Sequence, residues 1–249
     1  MVTGRHKPDD RKGIKFKPPL GEIMKEDEQG IRLQNVELPD GLFNDAGFFV
    51  STYDLPEVSK DAEELFVKRY KDFYSSDLLA GLTVGVYEHS CVGRDVLKEI
   101  YKRLGADVRS LARSDIFIPV DTEAIRPEDV ELAKSWGQTG EYAAILSADG
   151  DCDRPLIADE NGHWLRGDVA GILCAQFLGA DAVVTPVSCN TAVELCQSFK
   201  SVARTRIGSP YVIAGMKKAS AAGAEMVVGY EANGGFLTNS DLELNGRIL

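Results

Sequence analysis

Apolar positions recur along this chain in two alternating rhythms. From residue 57 the pattern is regular, with Val58, Ala62, Leu65, Phe66 and Phe73 at helical spacing. The apolar run 82–87 then predicts a strand. Asp95 opens a helix whose apolar face is Val96, Leu97, Ile100 and Leu104, and Gly105 stops it. Residues 108–111 predict a strand, Pro127 begins a helix at a first-turn position, and 142–147 predicts another strand. The rhythm then repeats, with helix 169–178, strand 183–187, helix 191–199, strand 203–207, helix 212–222 and strand 226–231. The first 55 or so residues carry Gly, Pro and charge throughout and predict no regular element.

Strand–helix alternation predicts an α/β fold with mostly parallel sheets. Two blocks, 76–165 and 166–249, share the rhythm and predict two similar domains. In open parallel sheets, ligand-binding groups gather beyond the carboxyl ends of the strands. Strand 142–147 ends on a cluster of acids, and strand 226–231 ends on Glu231.

That first cluster is Asp149-Gly150-Asp151-Cys152-Asp153-Arg154-Pro155. Were the segment extended, a period of two would point its three carboxylates to one side. Like charges so placed repel unless a cation sits between them, and a hard divalent ion prefers such oxygen ligands. A calcium-binding helix–loop–helix pattern competes, because acids fall at positions 1, 3, 5 and 12 counted from Asp149, the last being Glu160. Against it, position 6 is Arg154 where that loop needs glycine, and the flanks read as strands. Asn161-Gly162 between short apolar runs signals a hairpin.

Composition narrows the remaining options. The 249 residues are 44% hydrophobic and 27% charged, as in a globular protein. A net charge of −11 argues against nucleic acid as the main partner. The longest apolar stretch, 169–187, is broken by Gln176 and Asp181, so no membrane span is expected. No signal peptide is evident, and five cysteines without metal spacing fit free thiols in a reducing cytoplasm.

At this point the residues resemble the α-D-phosphohexomutase family, the phosphomannomutases and phosphoglucomutases. Its metal loop reads D-G-D-x-D-R, which Asp149 through Arg154 match. One form of its sugar-recognition loop reads E-A-N-G-G, which Glu231-Ala232-Asn233-Gly234-Gly235 match. Between them, Thr205-Arg206-Ile207-Gly208-Ser209 is similar to the family's basic-residue-plus-glycine loop. The family's phosphoserine loop, T-A/G-S-H-N-P followed by N-G-x-K, aligns with Thr3-Gly4-Arg5-His6-Lys7-Pro8 and Lys12-Gly13-Ile14-Lys15. The serine position is Arg5, which offers no hydroxyl to carry a phosphoryl group. A guanidinium there can instead pair with the acids of the metal loop.

The resemblance implies interconversion of hexose 1-phosphate and hexose 6-phosphate through a phosphoserine and a hexose 1,6-bisphosphate. It implies Mg²⁺ at Asp149, Asp151 and Asp153, a phosphoryl contact from Arg154, an acid/base or phosphate contact from Lys15, and a part in proton transfer for His6. It also implies sugar contacts from Glu231 and Asn233, with Arg206 and Gly208 at the sugar phosphate. The family histidine that follows the sugar loop is Gly235 here. Three regions are expected: 1–58 as the remainder of a first domain with a degenerate phosphoserine loop, 59–165 with the metal loop, and 166–249 with the sugar loop. The family's fourth domain is expected to be absent and the chain alone to be inactive. The rival reading is a non-catalytic phosphosugar-binding fragment or degenerate homologue. Nothing in the sequence separates monomer from dimer.

Overall fold

Two runs of short apolar strands separated by amphipathic helices build two four-stranded sheets in the computed structural model. It describes residues 2–3, 13–14, 16, 23–51, 54, 56–244 and 246–249. In chain order the elements begin with β1 (Val2–Thr3), β2 (Gly13–Ile14), α1 (Lys25–Arg32) and α2 (Asp61–Phe73). The first sheet and its helices are β3 (Thr83–His89), α3 (Arg94–Arg103), β4 (Asp107–Arg113), α4 (Pro127–Gly137), β5 (Ala144–Ala148) and β6 (Pro155–Ala158). The second comprises α5 (Gly167–Phe177), β7 (Ala182–Pro186), α6 (Ala192–Leu195), β8 (Ser201–Thr205), α7 (Ser209–Ala221), β9 (Val227–Tyr230) and β10 (Phe236–Thr238). A small hairpin, β11 (Glu243–Leu244) with β12 (Arg247–Ile248), follows.

The sheets share one topology. The first is ordered β4-β3-β5-β6 and the second β8-β7-β9-β10. In each, three strands are parallel and the last folds back antiparallel on its predecessor. The expectation of repeated α/β units with mostly parallel sheets therefore holds. Both faces of each sheet are covered, so successive residues of one strand enter different cores. On β7, Val183 packs with Ile172, Ala175, Val228 and Tyr230, while Val184 packs with Val212, Met216 and Val227. On β5, Ile145 joins Tyr87, Val120 and Leu156, while Leu146 joins Val84 and Ala106. Each such side chain, taken fully out of water, contributes on the order of 1.5–3 kcal/mol.

Several local expectations are corrected. The N-terminal region is not wholly irregular, since α1 and the β1–β2 pairing lie within it. α1 buries no residue, so it lacks the apolar stripe by which helices are recognised. α2 buries Phe73 as expected, together with Val67, which packs with Tyr70 on Ile100 and Leu104 of the α3 region. Val58, Leu65 and Phe66 are exposed. The helix expected over 191–199 stops after one turn, because Gln197 takes a positive φ of 52° and Phe199 turns inward onto the core. The following strand accordingly starts earlier, at Ser201, and leaves Ile207 exposed.

Candidate active site

Both candidate loops are hairpin tips at equivalent places in the two sheets: 149–154 joins β5 to β6, and 231–235 joins β9 to β10. The strand flanks of the first exclude the helix–loop–helix calcium reading. The acids do not converge by strand alternation, however. The segment turns: the Cys152 amide donates to the Asp149 carbonyl (3.0 Å), and Cys152 itself has φ 60°. The Asp149 amide donates to the Arg154 carbonyl (3.1 Å) and closes the loop. The Asp149 carboxylate organises the interior, with Oδ1 accepting from the amides of Asp153 (3.0 Å) and Arg154 (3.2 Å).

One ligand oxygen from each of Asp149, Asp151 and Asp153 lies within 4.8 Å of the others. Asp149 is fully buried, and its Oδ2 accepts no hydrogen bond among the described residues. The Arg154 Nε stands 3.9 Å from that oxygen and 3.6 Å from Asp153 Oδ1. Burial first, and then the charges of Asp153 and Asp151, push the Asp149 carboxyl up to about 7. A buried carboxylate oxygen that accepts no hydrogen bond, among three carboxylates with Arg154 only at ion-pair distance, leaves a place for a further cation. Three hard oxygens suit a divalent cation of the Mg²⁺ or Ca²⁺ type, so the residues present fit a metal.

The second loop is tightly held. The Glu231 amide donates to the Gly235 carbonyl (2.9 Å), the Gly234 amide to the Glu231 carbonyl (3.0 Å), and the Gly235 amide to Asn233 Oδ1 (2.9 Å). Gly234 has φ 93°, a conformation that favours glycine. Three contacts pin the loop to its surroundings. The Thr122 hydroxyl donates to the Asn233 carbonyl (2.6 Å), the backbone of Gly167 abuts that of Gly234, and Gly234 lies against Pro155 of the first hairpin. The half-buried Glu231 carboxylate makes no hydrogen bond or ion pair among the described residues.

A cleft of about 520 Å³ joins the two loops. It is lined by Asp153 and Arg154 from the first, and by Glu231, Asn233 and Gly235 from the second. Gly208 and Ser209 at the start of α7 complete one wall. A helix start presents amide groups without intrahelical partners, here facing a site already rich in polar groups. Arg206 does not line the cleft; it is exposed, with its guanidinium carbon 5.9 Å from the Tyr211 ring centroid. Arg5, His6 and Lys15 lie outside the described residues. Lys25 and Glu28 of α1, paired at 2.8 Å, also line the cleft. Sequence reasoning missed them because α1 itself had no apolar signature. Of two larger hollows, the one of about 670 Å³ holds none of these loop residues, while the one of about 950 Å³ reaches Asp151, Asp153 and Arg154 from the other side but none of the second loop. The first is a surface recess around Asp181 and Lys200, and the second is a mainly apolar groove between α2 and α3.

The family model "Phosphoglucomutase/phosphomannomutase, alpha/beta/alpha domain III" matches residues 166–244. A phosphomannomutase of Salmonella muenchen is 47% identical over 249 residues, covering 100% of this chain and 50% of the relative. A phosphomannomutase of Sinorhizobium fredii is 42% identical, covering 100% of this chain and 52% of the relative. A solved structure of a phosphoglucomutase/phosphomannomutase family protein from Burkholderia thailandensis superposes with a TM-score of 0.67 at 18% identity. It covers 96% of this chain and 50% of that one, and at this identity it supports the fold. The chain thus spans about half the length of the curated relatives it matches. Residues 166–244 match the phosphoglucomutase/phosphomannomutase domain III model, and the chain is similar to phosphomannomutases along its whole length.

Proposed function

We propose that this chain supplies the metal loop and the sugar-recognition loop of a phosphohexomutase of the phosphomannomutase kind, acting on hexose phosphates. The observation that carries the proposal is the shared cleft, where Asp153 and Arg154 meet Glu231 and Asn233. Phosphoryl transfer needs charge neutralisation and positioning more than covalent chemistry from the protein. Asp149, Asp151 and Asp153 would hold Mg²⁺, which supplies charge neutralisation at the transferring phosphoryl group when bound. Arg154, with a side chain only 10% exposed, is fixed beside these acids and offers its guanidinium to phosphoryl oxygens. Glu231 accepts hydrogen bonds from sugar hydroxyls, and Asn233 braces the loop through Gly235. The amides at Gly208 and Ser209 receive the sugar phosphate, as a helix start does for anions, with Arg206 two residues upstream adding charge. Lys15 and His6 are assigned, from the sequence motif alone, to phosphoryl contact and proton transfer. A hexose 1,6-bisphosphate is assigned as the intermediate, and the free cysteines suit a cytoplasmic location.

A second reading, phosphosugar binding without turnover, is favoured by Arg5 at the phosphoserine position. The two readings share the cleft and differ in chemistry. Calorimetric titration of mannose 1-phosphate or glucose 1-phosphate with Mg²⁺ tests the cleft. Glu231→Ala is expected to weaken binding by about 1–3 kcal/mol, the range for hydrogen bonds to a charged group. Unchanged affinity would remove Glu231 from the site. A coupled assay for the 6-phosphate, primed with a 1,6-bisphosphate, separates the readings. We expect binding without turnover from this chain, and turnover at roughly 1 s⁻¹ or more would overturn that expectation.

A further inference from the structure

We propose that Cys91 and Cys152 are a redox-active thiol pair whose closure to a disulfide loosens the metal loop. The coupling to the metal rests on the function proposed above; the pairing itself does not.

The topology brings the two residues together. β3 and β5 are parallel neighbours, and each is followed at its carboxyl end by a loop, one carrying Cys91 and the other Cys152. The loops touch through backbone, since the Val92 amide donates to the Gly150 carbonyl (3.1 Å). Gly93 marks how close the sulfurs are. A Cβ at this glycine would stand 2.3 Å from Cys152 Sγ and 4.0 Å from Cys91 Sγ. Both sulfurs therefore flank one point in space, on either side of the start of α3. Sulfurs so placed can be brought to disulfide distance by movement of the loops that carry them.

The backbone offers a second observation. Cys152 sits at φ 60°, where glycine, asparagine or aspartate is the usual occupant. A cysteine there carries backbone strain that glycine would not. It also projects its sulfur onto the start of α3, beside Cys91.

Accessibility orders the chemistry. Cys152 is partly exposed and lines the apolar groove, whereas Cys91 is 1% exposed. The oxidant is a low-molecular-weight disulfide, RSSR. The Cys152 thiolate attacks one sulfur of RSSR, forming a mixed disulfide and releasing one thiolate. The Cys91 thiolate then attacks Cys152 Sγ, forming the internal disulfide and releasing the second. The protein pair loses two electrons, RSSR gains them, and the two thiol protons leave on two RSH. The new bond, about 2.05 Å long, draws Cys152 toward Cys91 and carries the adjacent Asp151 and Asp153 with it.

The test uses the full chain carrying Cys174→Ser and Cys196→Ser, which removes the two exposed thiols. The protein is equilibrated with oxidised glutathione, digested without reduction and mapped by mass spectrometry. We expect a Cys91–Cys152 crosslink, loss of two titratable thiols, and full reversal by dithiothreitol. With Cys91→Ala, Cys152 should stop at the glutathione mixed disulfide. Calorimetric titration should show Mg²⁺ binding weakened by about tenfold or more in the crosslinked form, the scale seen when groups supporting metal ligands are displaced. A stable mixed disulfide at Cys152 with Cys91 intact would overturn the pairing. A crosslinked chain with unchanged Mg²⁺ affinity would overturn the coupling. If the reduced chain binds no Mg²⁺, the metal assignment falls and the coupling with it, while the crosslink still decides whether the thiols pair.

Discussion

Replacing Gly167 by alanine should displace the sugar loop while leaving the fold standing. Gly167 is the first residue of α5, and its missing side chain is filled by the loop backbone. An added Cβ would stand 2.3 Å from the Gly234 nitrogen, 2.5 Å from the Ala232 carbonyl oxygen and 2.7 Å from Gly234 Cα. All three are main-chain atoms, so no side chain can rotate away. Restoring ordinary contact near 3.5 Å requires a shift of about 1 Å or more between α5 and the loop. The loop cannot yield freely, because Thr122 holds the Asn233 carbonyl and Pro155 lies behind Gly234. Overpacking of this kind costs about 1–3 kcal/mol, while alanine's better helix propensity returns at most about 1 kcal/mol. The net expectation is a loss of about 1–2 kcal/mol, read as a lower urea midpoint at unchanged slope. Hexose-phosphate affinity should fall further than stability implies, since misplacement of a binding group by about 1 Å is felt as a large loss. Amide resonances of residues 231–235 should move, and those of β3 should not. A variant as stable as the parent, with unmoved loop resonances, would show that the loop is not seated on Gly167.

Asp149 gives a pH prediction. Its carboxyl is raised from 3.8 to about 7 in the fold, so between these values the folded chain holds a proton that the unfolded chain has released. Metal-free stability should therefore fall as pH rises through this window, by roughly 2–3 kcal/mol between about pH 5 and pH 8. Mg²⁺ should reverse the fall and Asp149→Asn should abolish it; an identical pH slope in parent and variant, each with chelator, would refute the assignment. Buried Asp129 accepts from the Tyr87 hydroxyl (2.8 Å) and from Arg126 Nε and Nη2 (2.8 and 2.7 Å). Asp129→Ala should cost about 2–4 kcal/mol in urea unfolding, because it strands a buried hydroxyl and a partly buried guanidinium. A loss under about 1 kcal/mol would mean that water replaces the carboxylate.

Periodicity made the two sheets legible because their strands are buried on both faces and their helices are amphipathic. It failed where packing and pattern part company. Leu65 and Phe66 keep helical spacing with Ala62 and Phe73, yet of these α2 buries only Phe73 and turns Val67 and Tyr70 inward instead. Phe66 instead borders the apolar groove. Residues 191–199 look helical, but the positive φ of Gln197 breaks the run so that Phe199 can reach the core. The acidic cluster was legible as a metal site for a partly wrong reason. Alternation would have aligned the carboxylates on a strand, whereas a tight turn gathers them and spends one oxygen of Asp149 on the loop's own amides. The interplay of Gly167 with Gly234 had no signal at all. Contacts between backbones far apart in sequence leave no periodic trace, and a lone glycine reads only as a weak helix position.

The duplicated topology explains why the two motifs meet. In each sheet the first and third strands run side by side, and the crossover between them reaches the second strand on the outside. The carboxyl ends of such neighbouring strands are the usual place for a ligand, although here the loops after β3 and β5 touch through the Val92 amide and the Gly150 carbonyl. The antiparallel fourth strand adds a hairpin at that end, Asp149–Asp153 in one sheet and Glu231–Gly235 in the other, and both tips line the one cleft. One tip gathers three carboxylates beside Arg154, so under the proposed function it suits the charged end of a sugar phosphate through a bound cation. The other tip is backbone amides, an amide side chain and one carboxylate, so it suits hydroxyl groups. Gly234 against Pro155 sets the distance between them. A single fold unit, used twice, therefore yields a charged subsite and a polar subsite at a fixed separation, with the difference in chemistry held in about five residues of each tip.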